Sequence, residues 1–143
     1  MGKGHPECPE RLDAIEDRLL ITGVSDALDR REATPAAMGE LLLAHGRRHV
    51  AALRGLNDIL IEELAAGGPD HYSLDPDTVM CKDTYRAALL SAGAAIDAVD
   101  AVVTGELENA FCCVRPPGHH ATRNQAMGFC FFSNVAVAAK YAR

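Results

Sequence analysis

Two adjacent histidines stand where the sequence is richest in residues able to do chemistry. The segment Arg115–Ala121 (RPPGHHA) presents His119 and His120 side by side, after two stiff prolines and a glycine that permits a tight turn. Histidine suits proton transfer near neutral pH, and charging one of two adjacent imidazoles disfavours charging the other. The pair could therefore act as a neutral base and its electrostatic partner. A surface pair, or a core histidine bound to a backbone carbonyl, is the alternative; adjacent histidines are not a common spacing for structural zinc.

A second candidate is the aromatic segment at residues 127–132 (MGFCFF), which follows the histidines closely. Gly128 before Phe129 suggests backbone that is open to a ligand, beside an apolar wall of the kind that lines pockets. Core packing at a helix start is the alternative. It is the better interpretation for Phe131 and Phe132, and the spacing leaves Phe129 open.

Three further polar or thiol side chains have simpler interpretations. Asp77 lies in the segment Asp75–Thr78, where a solvated turn is the default and a carboxylate at a pocket rim is the functional alternative. Arg11 is most simply a surface arginine at a helix start, and Cys130 is most simply a buried thiol.

Apolar periodicity predicts the elements that must position these residues. Helices are predicted from Pro9 to Gly23, over Val50–Leu64, over Tyr85–Val103 and over 131–143. Short apolar runs at Leu41–Ala44 and Ala110–Val114 predict buried strands, and 69–82 and 115–128 read as loops. Helices between strands indicate an α/β fold with a parallel sheet and flanking helices, and the histidines follow the carboxyl end of the second strand, where such folds place their sites.

Composition excludes several classes of protein. The chain has 143 residues, 48% of them hydrophobic and 24% charged, which suits one globular domain. Its net charge of −6 disfavours direct nucleic-acid binding, and no apolar run is long enough to span a membrane. The five cysteines include no C-x-x-C pair, so we expect free thiols and a cytoplasmic location.

The motifs taken together resemble the histone deacetylase superfamily. Their sequences are more similar to those of class II deacetylases and acetylpolyamine amidohydrolase-like enzymes than to those of class I. Residues 4–12 (GHPECPERL) look like the family's N-terminal motif. Residues 115–121 and 127–139 look like its active-site block. The resemblance implies a partial arginase/deacetylase-like fold, with residues 1–143 forming the N-terminal part of a single catalytic domain.

The resemblance also implies zinc-dependent hydrolysis of acetylated lysine side chains, acetylated polyamines or other small acetylated amines. By the family pattern His120 is the general base and later the general acid, and His119 tunes the charge beside it. Phe129 walls the channel for the acyl-lysine stem, while the Gly128 carbonyl accepts the substrate amide N–H. Asp77 matches the rim aspartate that binds the substrate backbone, and Arg11 matches the arginine of the acetate-exit channel.

The family's zinc ligands are the part of the pattern that has no counterpart in this sequence. They include an Asp-x-His pair, and no Asp-x-His occurs here. We therefore expect a fragment of a deacetylase that lacks the zinc ligands and is inactive alone. The alternative is a non-catalytic interaction or regulatory module derived from a truncated deacetylase.

Overall fold

Helices dominate the computed structural model, which describes residues 4–143. The α-helices in this range are α1 (Glu10–Ile21), α2 (Met38–Ala44), α3 (Arg47–Ala65), α4 (Thr84–Val103) and α5 (Asn134–Tyr141). A single turn of 3-10 helix, Val24–Ala27, follows α1. The strands β1 (His71–Ser73) and β2 (Val79–Cys81) pair antiparallel. No helix within residues 4–143 has the length and apolar character needed to cross a membrane.

The long helices agree with the apolar periodicity of the sequence. Helix α3 buries Val50, Leu53 and Leu60, which lie on one face because their spacing approximates whole helical turns. Helix α4 buries Ile96 and small side chains of the same stripe. The four helices predicted from the sequence are thus present, with boundaries shifted by a few residues.

The prediction of a strand at Leu41–Ala44 is wrong, because these residues lie in helix α2. Leu41 and Ala44 are buried while Leu43 is 39% exposed, which is the one-sided burial of a helix. The Glu40 carboxylate accepts a hydrogen bond from the Ala37 N–H at 2.6 Å and so satisfies a free donor at the start of the helix. A four-residue apolar run is compatible with either element, and only packing decides between them.

The predicted loop over 69–82 contains a β-hairpin instead. Its register pairs His71 with Cys81 and Tyr72 with Met80. Met80 is completely buried and ties the hairpin to the core. The turn between the strands carries Asp75 and Asp77, so it belongs to the candidate site.

The predicted central strand Ala110–Val114 is not a strand within the described part of the chain. Residues 110–113 are exposed, and Phe111 is 75% exposed. A strand requires a hydrogen-bonded neighbour, and the hairpin is the one sheet that residues 4–143 form. The predicted parallel sheet is therefore not found in these residues.

Helix α5 and the segment before it occupy the centre of the core. Phe131, Phe132 and Val137 are at most 2% exposed, and they pack among buried side chains of α2, α3, α4 and β2. The aromatic segment thus lies between the helical core and the two loops that carry the candidate site residues. Phe131 and Phe132 are core residues, as predicted.

Candidate active site

The two candidate histidines lie at the surface with their rings in contact. The ring centroids of His119 and His120 are 4.2 Å apart with an interplanar angle of 53°, and both residues are exposed. Solvent can therefore reach the pair, and protonating one ring places a charge directly beside the other. This geometry is suited to proton transfer at one ring with electrostatic tuning by its neighbour.

The Cys130 thiol fixes the backbone of both histidines. Its Sγ accepts hydrogen bonds from the backbone N–H groups of His119 and His120, each at 3.4 Å. The same thiol donates to the Gly128 carbonyl at 3.3 Å, and Cys130 is completely buried. One sulfur atom therefore connects the histidine loop to the aromatic segment.

Gly128 and Phe129 form a two-residue turn of the kind that closes tight hairpins. Met127 and Cys130 exchange both backbone hydrogen bonds at 3.0 Å, and the φ angles of Gly128 and Phe129 are +56° and +67°. Positive φ at both central residues is the signature of a type I′ turn. It is unfavourable for a bulky side chain such as Phe129, and strain of this sort concentrates at functional sites.

The Phe129 side chain and backbone are held from two directions. Its ring meets the His5 ring edge to face, with the centroids 4.7 Å apart. Its N–H donates to the hydroxyl of the buried Thr78 at 3.1 Å. Thr78 in turn donates to the exposed Asp77 carboxylate at 3.4 Å. The aromatic wall and the candidate rim carboxylate are thus joined through a single threonine.

The turn of the β-hairpin is organised by Asp75. Its Oδ1 accepts from the Thr78 N–H at 2.6 Å and from the Asp77 N–H at 3.0 Å. This is the local side-chain-to-backbone pattern that makes aspartate favourable in turns. The carboxylate of Asp77 is left exposed beside the aromatic wall, where it could accept hydrogen bonds from a ligand.

Arg11 is exposed near the start of α1, as the residue-level interpretation predicted, and it is also bound to a buried carboxylate. The Glu7 side chain is 3% exposed and pairs with both Arg11 and Arg115. Arg115 also donates to the Glu7 backbone carbonyl at 3.3 Å, and the Glu7 N–H donates to His5 Nδ1 at 3.0 Å. The N-terminal segment is thus fastened to the start of the histidine loop by charge-assisted hydrogen bonds.

An open cleft of about 520 Å³ has both Arg11 and His119 on its wall. At its base the Asn134 amide donates to Ser91 Oγ at 2.7 Å, and the Ser91 hydroxyl donates to the Pro116 carbonyl at 2.7 Å. Both polar side chains are buried, so this relay fixes the proline-rich part of the histidine loop against α4 and α5.

The structure brings the six sequence-predicted site residues into one connected region. Arg11 and His119 share the cleft, and His120 packs on Gly128. Phe129 is linked to Asp77 through Thr78. The catalytic, substrate-binding and exit roles predicted for these residues remain predictions.

Sequence reasoning missed most of the residues that hold the site together. These are His5, Glu7, Thr78, Ser91, Arg115 and Asn134. All but Ser91 lie inside segments that the sequence analysis singled out, namely residues 4–12, Asp75–Thr78, residues 115–121 and residues 127–139, but no pattern assigned them a supporting contact. Cys130 was identified as a buried thiol, which is confirmed, but its contact with the histidine backbone had no sequence signature.

Zinc is the metal that the sequence resemblance implies, and the described residues do not fit a zinc centre. No group of three or more histidine, cysteine, aspartate or glutamate side chains able to hold a metal ion occurs within residues 4–143. Structural and catalytic zinc sites alike require at least three protein ligands.

Comparison with known proteins identifies the family of this chain. Residues 5–143 match the histone deacetylase domain family. The chain is 41% identical over 140 residues to the histone deacetylase-like amidohydrolase of Pseudomonas aeruginosa, covering 98% of this chain and 34% of that protein. It is 42% identical over 144 residues to the polyamine deacetylase HDAC10 of Homo sapiens, covering 96% of this chain and 21% of that protein.

A solved structure agrees with the sequence matches. The crystal structure of the HDA15 HD domain superimposes with a TM-score of 0.86 and 36% identity, over 99% of this chain and 38% of that one. The chain thus spans less than two fifths of each of these relatives. It belongs to the histone deacetylase domain family.

Proposed function

We propose that this chain contributes the proton-transfer residues and part of the substrate channel of an amidohydrolase that removes acetyl groups from acetyl-lysine or acetylated amines. The observation that supports the proposal is the contact between the His120 ring and Gly128, the residue before Phe129 in the aromatic turn. The names of the relatives, a histone deacetylase-like amidohydrolase and a polyamine deacetylase, support an acetylated amine as substrate.

Each candidate residue has a role that its environment supports. His120 takes a proton from the attacking water and later returns one to the leaving amine, while His119 adjusts the charge beside it. Phe129 lines the channel, and the Gly128 carbonyl accepts the substrate amide N–H. Asp77 binds the substrate backbone from the exposed turn.

Arg11 completes the proposed site from the cleft side. It reaches the same cleft wall as His119, and because Arg11 and Arg115 share the one carboxylate of Glu7, a net positive charge remains that can attract the acetate product toward an exit. An apolar channel beside a charged exit favours a neutral acetylated chain over a free lysine, which would lose its hydration there.

Zinc dependence is part of the proposal, with metal ligands that residues 4–143 do not supply. We also propose that the chain is the N-terminal part of one catalytic domain, and that Ala110–Val114 becomes a strand of a parallel, arginase-like sheet in that domain. The coverage of the relatives supports this, as does the exposed Phe111. The free cysteines support a cytoplasmic location.

Ligand binding can be tested on the 143-residue chain itself. An isotope-labelled sample is titrated with Nε-acetyl-lysine amide, with lysine amide as the matched control. We expect the backbone amide resonances of Gly128 and Phe129 to shift with the acetylated ligand and not with the control. Equal responses to both ligands would contradict the proposed channel.

Acetate release distinguishes catalysis from binding. The chain is incubated with zinc and an acetylated lysine peptide or N-acetylputrescine, and we expect no turnover above buffer. Sustained turnover would contradict the proposal that the chain is inactive alone. Restoring the missing ligands by coexpression with the remaining part of a relative's domain should produce turnover that depends on His120. Selective binding without any turnover in that assembly would favour the non-catalytic interaction module instead.

A further inference from the structure

Two buried histidines outside the candidate site lie directly beneath the aromatic segment. His45 follows helix α2 and is 1% exposed, and His49 in the first turn of α3 is 8% exposed. Their ring centroids are 5.1 Å apart, and both rings pack edge to face on Phe132. Buried imidazoles are costly unless their nitrogens are satisfied, so their hydrogen bonds define what they do.

The hydrogen bonds assign opposite tautomers to the two rings. The Ser133 N–H donates to Nε2 of His45 at 2.8 Å, so this nitrogen carries no proton. Nε2 of His49 lies 2.9 Å from the Phe131 carbonyl, which can only accept, so this nitrogen carries the proton. His45 is therefore neutral with its proton on Nδ1, and it binds Ser133 only in that form.

Nδ1 of His45 has an unusual environment. Within residues 4–143 it makes no hydrogen bond of good geometry, but backbone groups of Thr122 and Arg123 lie close to the ring and interact with it. Nδ1 is thus only weakly satisfied, and the Ser133 N–H at Nε2 is the well-formed hydrogen bond that fixes the ring.

Ser133, which His45 binds, is connected through its neighbour Asn134 to the loop that carries His119 and His120. Ser133 caps helix α5 by accepting from the Ala136 N–H at 3.4 Å. Its neighbour Asn134 packs against Gly118, immediately before the histidine pair. A Cβ added to Gly118 would lie 2.1 Å from the Asn134 side chain, so the two residues are packed too closely for any larger side chain at position 118.

Phe131, which His49 binds, is connected to the same loop through Cys130. Phe131, whose carbonyl faces His49, directly follows Cys130. Cys130 holds the backbone N–H groups of His119 and His120. A displacement of the Phe131–Ser133 segment would therefore reach the histidine pair from both sides.

The charged groups around His45 oppose its protonation. His49 faces it from α3, and Arg123 faces it from the loop after the catalytic histidines. Burial first, and then the charge of His49, lower the pKa of His45 below its ordinary value, while backbone hydrogen bonds with Arg123 and Thr122 act in the opposite direction and only partly offset them. A proton on Nε2 would also meet the Ser133 N–H, so the contact would break.

We propose that neutral His45 is a positioning residue for the His119–His120 pair, acting through Ser133, and that protonation of its ring releases this support. The description of the pair as catalytic rests on the proposed function. The hydrogen-bond geometry at His45 does not depend on it.

The test compares two substitutions at His45 with one at an exposed histidine. His45→Gln keeps an acceptor near the position of Nε2 but does not titrate, whereas His45→Phe removes the acceptor. His71→Gln, on the exposed edge of β1, is the matched control. Amide resonances of Ser133, His119 and His120 are followed from pH 8 to pH 5, together with the ¹⁵N shifts of the His45 ring.

We expect the wild-type chain to show the proton on Nδ1 of His45 and one shared transition of the three amides below about pH 6.5. His45→Gln should keep their neutral-pH positions and abolish the shared transition, and His71→Gln should retain it. The unfolding equilibrium constant of the wild type should rise by up to about tenfold per pH unit below that point, relative to His45→Gln.

Three results would overturn the inference: a proton on Nε2 of His45, a shared transition that persists in His45→Gln, or histidine amides that do not respond when Ser133 does. If His45→Phe fails to fold, His45→Gln still decides the question. None of these readouts uses an acetylated ligand, so failure of the proposed function would be seen separately, in the binding and turnover experiments.

Discussion

The His120 ring lies against the Cα of Gly128, so closely that no side chain fits between them. A Cβ built on Gly128 would lie 2.8 Å from ring atoms Cγ and Cδ2 of His120. The backbone of Gly128 is also left-handed, with φ of +56°. Glycine is thus required here twice, by the turn it forms and by the imidazole it touches.

We predict that Gly128→Ala destabilises the chain by about 2–4 kcal/mol, since it adds a left-handed alanine and a clash with His120. Thermal or urea unfolding measures the loss. Gly67→Ala is the matched control, because Gly67 has φ of +79° and a Cβ added there would meet no non-adjacent atom within 4 Å. The control should cost only about 1–2 kcal/mol. Equal losses at the two positions would mean that His120 does not contact Gly128.

Loss of the Glu7 charge should weaken the attachment of the N-terminal segment. Glu7→Gln leaves the guanidinium groups of Arg11 and Arg115 without their buried carboxylate, and we expect a loss of about 1.5–3 kcal/mol. Glu16→Gln removes a carboxylate that pairs with Arg30 but is 45% exposed, and should cost below about 1 kcal/mol. Chemical denaturation of both variants at pH 7 compares them, and a smaller loss for Glu7→Gln than for Glu16→Gln would refute the buried clamp.

Replacing the Cys130 thiol should disturb the histidine pair specifically. Cys130→Ala removes the acceptor of two backbone N–H groups, and we expect a loss of about 1–3 kcal/mol together with shifted amide resonances of His119 and His120. Cys130→Ser, which restores an acceptor, should recover part of both effects. Cys113→Ser alters an exposed thiol and should change stability by less than about 0.5 kcal/mol. Unchanged histidine amides in Cys130→Ala would show that the sulfur does not hold them.

The Thr78 hydroxyl should control the orientation of Phe129. Thr78→Val preserves the shape of the buried side chain but leaves the Phe129 N–H without its acceptor, at a cost of about 1–3 kcal/mol. Faster hydrogen exchange at the Phe129 amide is the direct measurement. Thr22→Val, at an exposed hydroxyl after α1, is the control and should leave that exchange rate unchanged. Protection of the Phe129 amide that survives Thr78→Val would argue against this hydrogen bond.

Long-period patterns allowed the helices to be predicted, and short patterns did not allow the strands to be predicted. Four helices follow from apolar side chains repeated over several turns, as in Val50, Leu53 and Leu60. The run Leu41–Ala44 fits a strand or a helix equally. The helix forms because it buries Leu41 in the core and leaves Leu43 toward solvent. The Asp-rich segment after α3 looked like a loop because its paired strands are only three residues long.

The local motifs likewise pointed to the candidate site residues but not to the residues that support them. His119, His120, Gly128 and Phe129 were found because they lie in short, chemically distinctive segments. Thr78 and Glu7 were missed, because each acts on a residue far away in the sequence. His45 lies 88 residues from its partner Ser133, and no spacing rule relates them.

The sequence by itself determined the family, the helical periodicity and the residues able to transfer a proton, because these are properties of residue type and local order. Tertiary structure decided which backbone groups those residues bind and which of them are buried. It placed His120 on Gly128, joined Phe129 to Asp77 through Thr78, and brought the buried His45 ring to the backbone of Ser133. The physical reason is that hydrogen bonds and burial depend on distances in space, which close packing sets only after distant segments have met.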